Sequence, residues 1–80
     1  MKMIIRNLSR STTESEIIEL FVAFGEVESC DLVMDQKTGG SKGFGFVEMP
    51  NVAQARDAIK NLNEKIIADS RIRVKLAEGK

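Results

Sequence analysis

Two phenylalanines stand two residues apart in the run Lys42-Gly43-Phe44-Gly45-Phe46-Val47-Glu48-Met49. On an extended strand that spacing puts both rings on one face. Glycines alternate with the rings, and a lysine stands at the entrance. The chain has four aromatic residues, all Phe, and two fall in this octapeptide. Rings beside a cation offer stacking surfaces to something flat and negatively charged, which single-stranded RNA is. Catalytic chemistry has no comparable support. The chain has no His, which excludes a nucleophile–His pair and a His-containing metal site. It shows no paired carboxylates and no nucleophile beside a base. Gly39-Gly40-Ser41-Lys42-Gly43 has neither the spacing nor the following helix of a phosphate-binding loop. The expectation is therefore a binding protein and not an enzyme, with no catalytic residue, metal or cofactor.

The 80 residues suffice for one small domain, residues 1–80, with a thin core. Hydrophobic residues make up 42% and charged residues 30%, ordinary values for a globular protein. No apolar run approaches the roughly 20 residues of a membrane span. The apolar run in residues 1–6 is too short for a signal peptide. A single Cys30 rules out an internal disulfide and fits a reducing compartment, so a cytoplasmic location and no membrane partner are expected. Twelve basic and twelve acidic residues give zero net charge, where a nucleic-acid binder usually carries a basic excess. Residues 14–28 hold five Glu and no basic residue, whereas Arg6, Lys42, Arg73 and Lys75 fall elsewhere. A neutral total can thus hide one acidic and one basic face.

These residues need a strand system to position them, and the chain supplies one. Residues 3–7 are short, apolar and β-branched, a first strand. Thr13-Glu14-Ser15-Glu16 fits a capping box, and Ile17, Leu20, Phe21 and Phe24 follow at helical spacing up to a terminating Gly25. Residues 27–34 alternate as a second strand, with Cys30 and Leu32 inward and Asp31 and Val33 outward. Residues 35–41 form a loop flexible enough to let Lys37 and Lys42 close over a ligand. The Phe-containing segment is the third strand, stopped by Pro50. Asn51 caps a second helix with the stripe Val52, Ala55, Ala58, Ile59 and Leu62, ended by Asn63-Glu64. Ile66-Ile67 makes a short extra strand or packed loop, and residues 71–76 alternate as the last strand. The order is β-α-β-β-α-β. It predicts a ferredoxin-like α+β sandwich, a four-stranded antiparallel sheet with both helices on one face. Val47 and Met49 suit the core, with Gly43 and Gly45 leaving room for a helix. The opposite parity would bury Lys42 and Glu48, so Phe44 and Phe46 face solvent.

Over essentially its whole length the chain resembles the RNA-recognition-motif family. Lys42 to Met49 matches the family's octamer at every position. Met3-Ile4-Ile5-Arg6-Asn7-Leu8 matches its hexamer, including the closing Asn-Leu. It looks most like a compact single-domain member of the bacterial type. The resemblance implies binding of single-stranded RNA on the open sheet face. Phe46 would stack on a base, Phe44 would pack on sugars, and Lys42 would pair with a phosphate. The family's second stacking ring is replaced here by Ile4, an apolar contact without a π face. That change costs affinity, since one base–aromatic stack is worth about 1–3 kcal/mol.

Strand alternation places Arg6 beside Ile4, and Arg73 and Lys75 on the last strand of the same face. Asp31 and Glu48 bring acid to it. The candidate RNA-binding set is Phe44, Phe46, Lys42, Ile4, Arg6, Asn7, Arg73, Lys75, Val33 and Glu48. Modest affinity, low selectivity, a footprint of about two to four nucleotides and a salt slope of about −2 to −3 are expected. A monomer is expected. The alternative is a protein–protein module of the same fold that uses the exposed Ile4, Val33, Phe44 and Phe46 patch.

Overall fold

The computed structural model describes residues 1–77, except for the side chains of Ser41 and Lys42. Its elements are β1 (Lys2–Arg6), α1 (Glu14–Val22), β2 (Ser29–Met34), β3 (Ser41–Glu48), α2 (Val52–Leu62), β4 (Ile66–Ile67), β5 (Ser70–Arg71) and β6 (Arg73–Leu76). Four strands form one antiparallel sheet in the order β2-β3-β1-β6, so the hexamer and the octamer lie side by side on the two central strands. This is the expected ferredoxin-like plan.

Local chemistry sets the helix boundaries. The Thr13 hydroxyl accepts from the Glu16 N–H at 3.3 Å, while the Glu16 carboxylate accepts from the Thr13 N–H at 2.8 Å. This reciprocal cap satisfies two orphan amides and is worth about 1 kcal/mol. At the start of α2 the Asn51 side chain accepts from the Gln54 N–H at 3.0 Å. Ile17 and Phe21 of α1 and Ala55, Ala58 and Leu62 of α2 are buried against the sheet. Leu20, Phe24 and Ile59 pack partly against them. Val52 breaks the expected stripe. It sits in the first turn of α2 and is about half exposed, because the helix approaches the sheet only one turn later.

From the sheet, Met3, Ile5, Val47, Met49 and Val74 are all at most 1% exposed. This inward set leaves Ile4, Phe44 and Phe46 on the other face.

The last strand departs from expectation. Ala68 and Asp69, at φ of 50° and 65°, reverse the chain so that Ile66 pairs with Arg71 and Ile67 with Ser70. Arg71 therefore belongs to a short hairpin, and the sheet strand begins at Arg73. Ile72 between them is fully buried, its N–H donating to the Lys65 carbonyl at 2.9 Å. The Asn63 side chain accepts from the Val74 N–H at 3.0 Å and so covers an edge donor of β6.

The glycines of β3 serve a different purpose from the one expected. A Cβ on Gly45 would lie 2.6 Å from the Asp31 carbonyl oxygen, so the close neighbour is the β2 backbone and not a helix. Further along, Leu32 pairs with Gly45 but Met34 pairs with Ser41. Four steps of β3 thus oppose two of β2. Gly43 lies in this excess at φ 88°, with its carbonyl accepting from the Leu8 N–H at 2.8 Å. The bulge bends β3 toward the end of β1.

Gly45→Ala should destabilise the fold by about 1–3 kcal/mol, because strand backbone must move to admit the methyl group. Urea denaturation would show this as a lower midpoint at unchanged slope.

Candidate nucleic-acid interface

The strand registers fix a grid on the face away from the helices. One row runs Asp31, Phe46, Ile4, Lys75 from β2 to β6. Alternation puts the next outward row at Phe44, Arg6 and Arg73, with Arg6 directly opposite Arg73. The row on the other side holds Ser29, Glu48 and Lys2. Directly opposed side chains on one face stand about 5 Å apart, so each row is a set of touching neighbours. Val33 continues the face of Asp31 along β2 and is half-buried.

Phe44 and Phe46 are half-buried, their ring centroids 6.3 Å apart and their planes at 85°. Edge-to-face packing of this kind is favourable in itself. It also means that the two rings do not present parallel faces to solvent. Arg6, Arg73 and Lys75 are exposed. Ile4, with Arg6, Arg73, Lys75 and Leu76, borders a hollow of about 390 Å³. Nearer the β3 bulge, Ile4, Arg6, Arg10, Gly43 and Phe44 border another of about 460 Å³. Apolar floors rimmed by guanidinium and ammonium groups suit a chain of bases joined by phosphates.

The structure brings Ile4, Arg6, Val33, Phe44, Phe46, Glu48, Arg73 and Lys75 onto this one face. Asn7 borders the same hollow as Ile4, Arg6 and Phe44. It leaves β1 at φ 61°, and its side-chain amide donates to the Arg71 carbonyl at 2.7 Å, tying β1 to the hairpin. The side chain of Lys42, expected to pair with a phosphate, lies outside the described residues, as do residues 78–80. The loop expected to be flexible is closed by its own hydrogen bonds. The Asp35 N–H donates to the Gly40 carbonyl and the Gly39 N–H to the Asp35 carbonyl, at 2.7 and 2.8 Å.

Two residues were missed. The Lys2 ammonium lies 5.0 Å from the Phe46 ring centroid, a cation–π contact. Its parity with Ile4 could have found it. Arg10 joins Arg6 at the hollow beside Gly43, from a loop position that no sequence period marks.

Cys30 takes the expected inward parity. Burial first, then the charges of Glu14 and Asp31, push its thiol from 9.0 up to about 11. Glu14 is held close because its carboxylate accepts from the Leu32 N–H at 3.0 Å on the edge of the sheet. The thiol is thus protonated and inert at neutral pH.

The sequence pattern of the RNA recognition motif matches residues 3–73, and the chain belongs to that family. It is 38% identical over 76 residues to glycine-rich RNA-binding protein 4, mitochondrial, of Arabidopsis thaliana, which covers 95% of this chain and 56% of that one. It is 37% identical over 79 residues to glycine-rich RNA-binding protein 1 of Mycosarcoma maydis, covering 99% and 45%. The chain spans about half the length of these curated relatives. Among solved structures, RNA recognition domains 1 and 2 of Sex-lethal from Drosophila melanogaster superpose with a TM-score of 0.91 at 32% identity, covering 98% of this chain and 50% of theirs. The Sxl-lethal protein in complex with RNA gives the same score and identity, covering 99% and 47%. The RNA-binding protein PG1 also superposes at 0.91 and 32%, covering 100% and 98%.

Because the fold holds the Cys30 proton more tightly than the unfolded chain, this stabilisation is full below pH 9 and is lost as pH rises to about 11. Denaturation midpoints of the wild type and Cys30→Ala across that window should converge, the wild type losing more stability. Midpoints that stay a constant distance apart would show an unperturbed thiol.

Proposed function

We propose that this chain binds short single-stranded RNA on the open face of its sheet. The observation that carries this is the Phe44–Phe46 pair, half-exposed on a central strand with Lys2, Arg6, Arg73 and Lys75 around it. Phe46 stacks on a base, Phe44 packs against sugar, and Arg6, Arg73 and Lys75 meet phosphates, with Lys42 as a further phosphate ligand. Ile4 and Val33 add apolar contact. Support comes also from relatives described as RNA-binding and from the similar Sxl-lethal protein bound to RNA. The role is binding, not catalysis.

Affinity is modest for three reasons. Ile4 supplies no ring, Asp31 and Glu48 oppose phosphate on the same face, and the whole chain is neutral. Selectivity is low over the footprint of about two to four nucleotides as a whole. The chain acts as a monomer in a reducing, cytoplasmic setting, consistent with the single free Cys30.

A protein-binding role is the second reading. It is favoured by the aliphatic part of the patch, with half-buried Ile4 and Val33 and a half-exposed Leu76 at the end of β6.

Phe46→Ala should weaken binding of a randomised hexanucleotide RNA pool by about tenfold or more in fluorescence anisotropy, with the amide spectrum still that of a folded domain. The wild type should show a salt slope of about −2 to −3. Equal binding by the folded variant would sink the RNA reading and leave the protein-binding one.

A further inference from the structure

Phe46 stands between two groups of opposite charge on opposite sides. Asp31 is its direct cross-strand partner on β2, and Lys2 reaches over the ring from β1 on the other flank. Asp31 is exposed, and its carboxylate has no intramolecular partner among the described residues. Because Asp31 and Phe46 are opposed on one face, their Cβ atoms are about 5 Å apart. A carboxylate there lies within reach of the edge of any base stacked on the ring.

An acid beside a polyanion repels it unless the base offers hydrogen-bond donors to the carboxylate. The four bases differ sharply in this respect. Guanine presents N1–H and the N2 amino group side by side on its Watson–Crick edge, and so can meet both carboxylate oxygens through charge-assisted bonds. It also carries O6 and N7, acceptors that suit a lysine. Cytosine and adenine each offer one amino group flanked by a ring acceptor. Uracil offers one N–H between two carbonyl oxygens, which face the carboxylate unfavourably.

We infer that Asp31 and Lys2, flanking Phe46, make guanine the preferred base on that ring. The inference rests on the RNA-binding reading above and names the base class its stacking position selects. Asp31 accepts from the donor edge, and Lys2 donates to the acceptor edge. Glu48 is the direct cross-strand partner of Lys2.

Uridine hexamers carrying one central guanine, adenine or cytosine, and the all-uridine hexamer, provide the test. The wild type should bind the guanine hexamer about tenfold or more tighter than all-uridine, with adenine and cytosine between. Asp31→Ala should bring all four close to equal while keeping or improving affinity for all-uridine, since a repulsion is removed. Lys2→Ala should narrow the guanine preference without abolishing it. A wild type that binds all four hexamers equally, or prefers adenine or uridine, overturns the inference. So does Asp31→Ala with the guanine preference intact. Phe46→Ala run alongside separates the two levels. If it loses binding while the four hexamers remain equal, only the guanine preference fails. If it binds as well as the wild type, the stacking reading fails with it.

Discussion

The pairing of β1 with β3 constrains everything functional in this domain. Met3 pairs with Val47, Ile4 with Phe46 and Ile5 with Gly45. Alternation along the two strands then decides which side chains meet the helices. Met3, Ile5, Val47 and Met49 go inward, each burial worth about 1.5–3 kcal/mol, and together they make much of a core that a small domain can ill spare. A slip of one residue between them would turn one strand's inward pair to solvent and drive that strand's charge, Arg6 or Glu48, under the helices, where an unpaired charge costs several kcal/mol. The face that carries Ile4, Arg6, Phe44 and Phe46 is therefore fixed by what the other face must bury. Binding residues can vary on it without threatening the register.

The charges on that face are sorted by strand. Asp31 and Glu48 lie on β2 and β3, whereas Arg6, Arg73 and Lys75 lie on β1 and β6. The acidic first turn of α1 adds to the β2 side, with Glu14 hydrogen-bonded to the β2 edge. A polyanion laid on this surface finds favourable potential over β1 and β6 and unfavourable potential over β2. In the proposed complex the phosphates follow the cations and the bases reach from there across Phe46. Zero net charge is thus compatible with a binding face, because Asp31 on β2 lies two strands, about 10 Å, from the cations of β1, and Glu48 on β3 is opposed to Lys2.

Much of this was legible in the sequence where a local rule acts alone. The Thr13–Glu16 capping box, the Asn51 cap and the outward parity of Phe44 and Phe46 need only neighbouring residues, and they formed as their chemistry dictates. What was not legible depends on contacts distant in the chain. The need for glycine at position 45 comes from the Asp31 carbonyl on another strand. The Ala68–Asp69 turn carries none of the usual Asn-Gly signal, so Ile66-Ile67 was legible as a short extra strand or loop but its pairing with β5 and the shortened β6 were not. The bond from the Asn7 side-chain amide to the Arg71 carbonyl, 64 residues away, could not be read from the hexamer. Arg10 meets the face beside Gly43, from outside any strand.

In the proposed complex, isoleucine at position 4 bears on more than the strength of binding. Phe44 and Phe46 meet at 85°, so a base that lies flat on one does not lie flat on the other. With an aromatic side chain at position 4 the surface would offer a second flat position, and discrimination could be divided between two bases. With isoleucine there, the proposed stacking concentrates on Phe46, and in that complex the polar groups around the ring are the main means of telling one base from another. Asp31 is opposed to it and Lys2 overhangs it. A reduced platform therefore makes the flanks of a single ring matter more. In the proposed complex, the isoleucine that weakens the platform leaves its selectivity at one nucleotide.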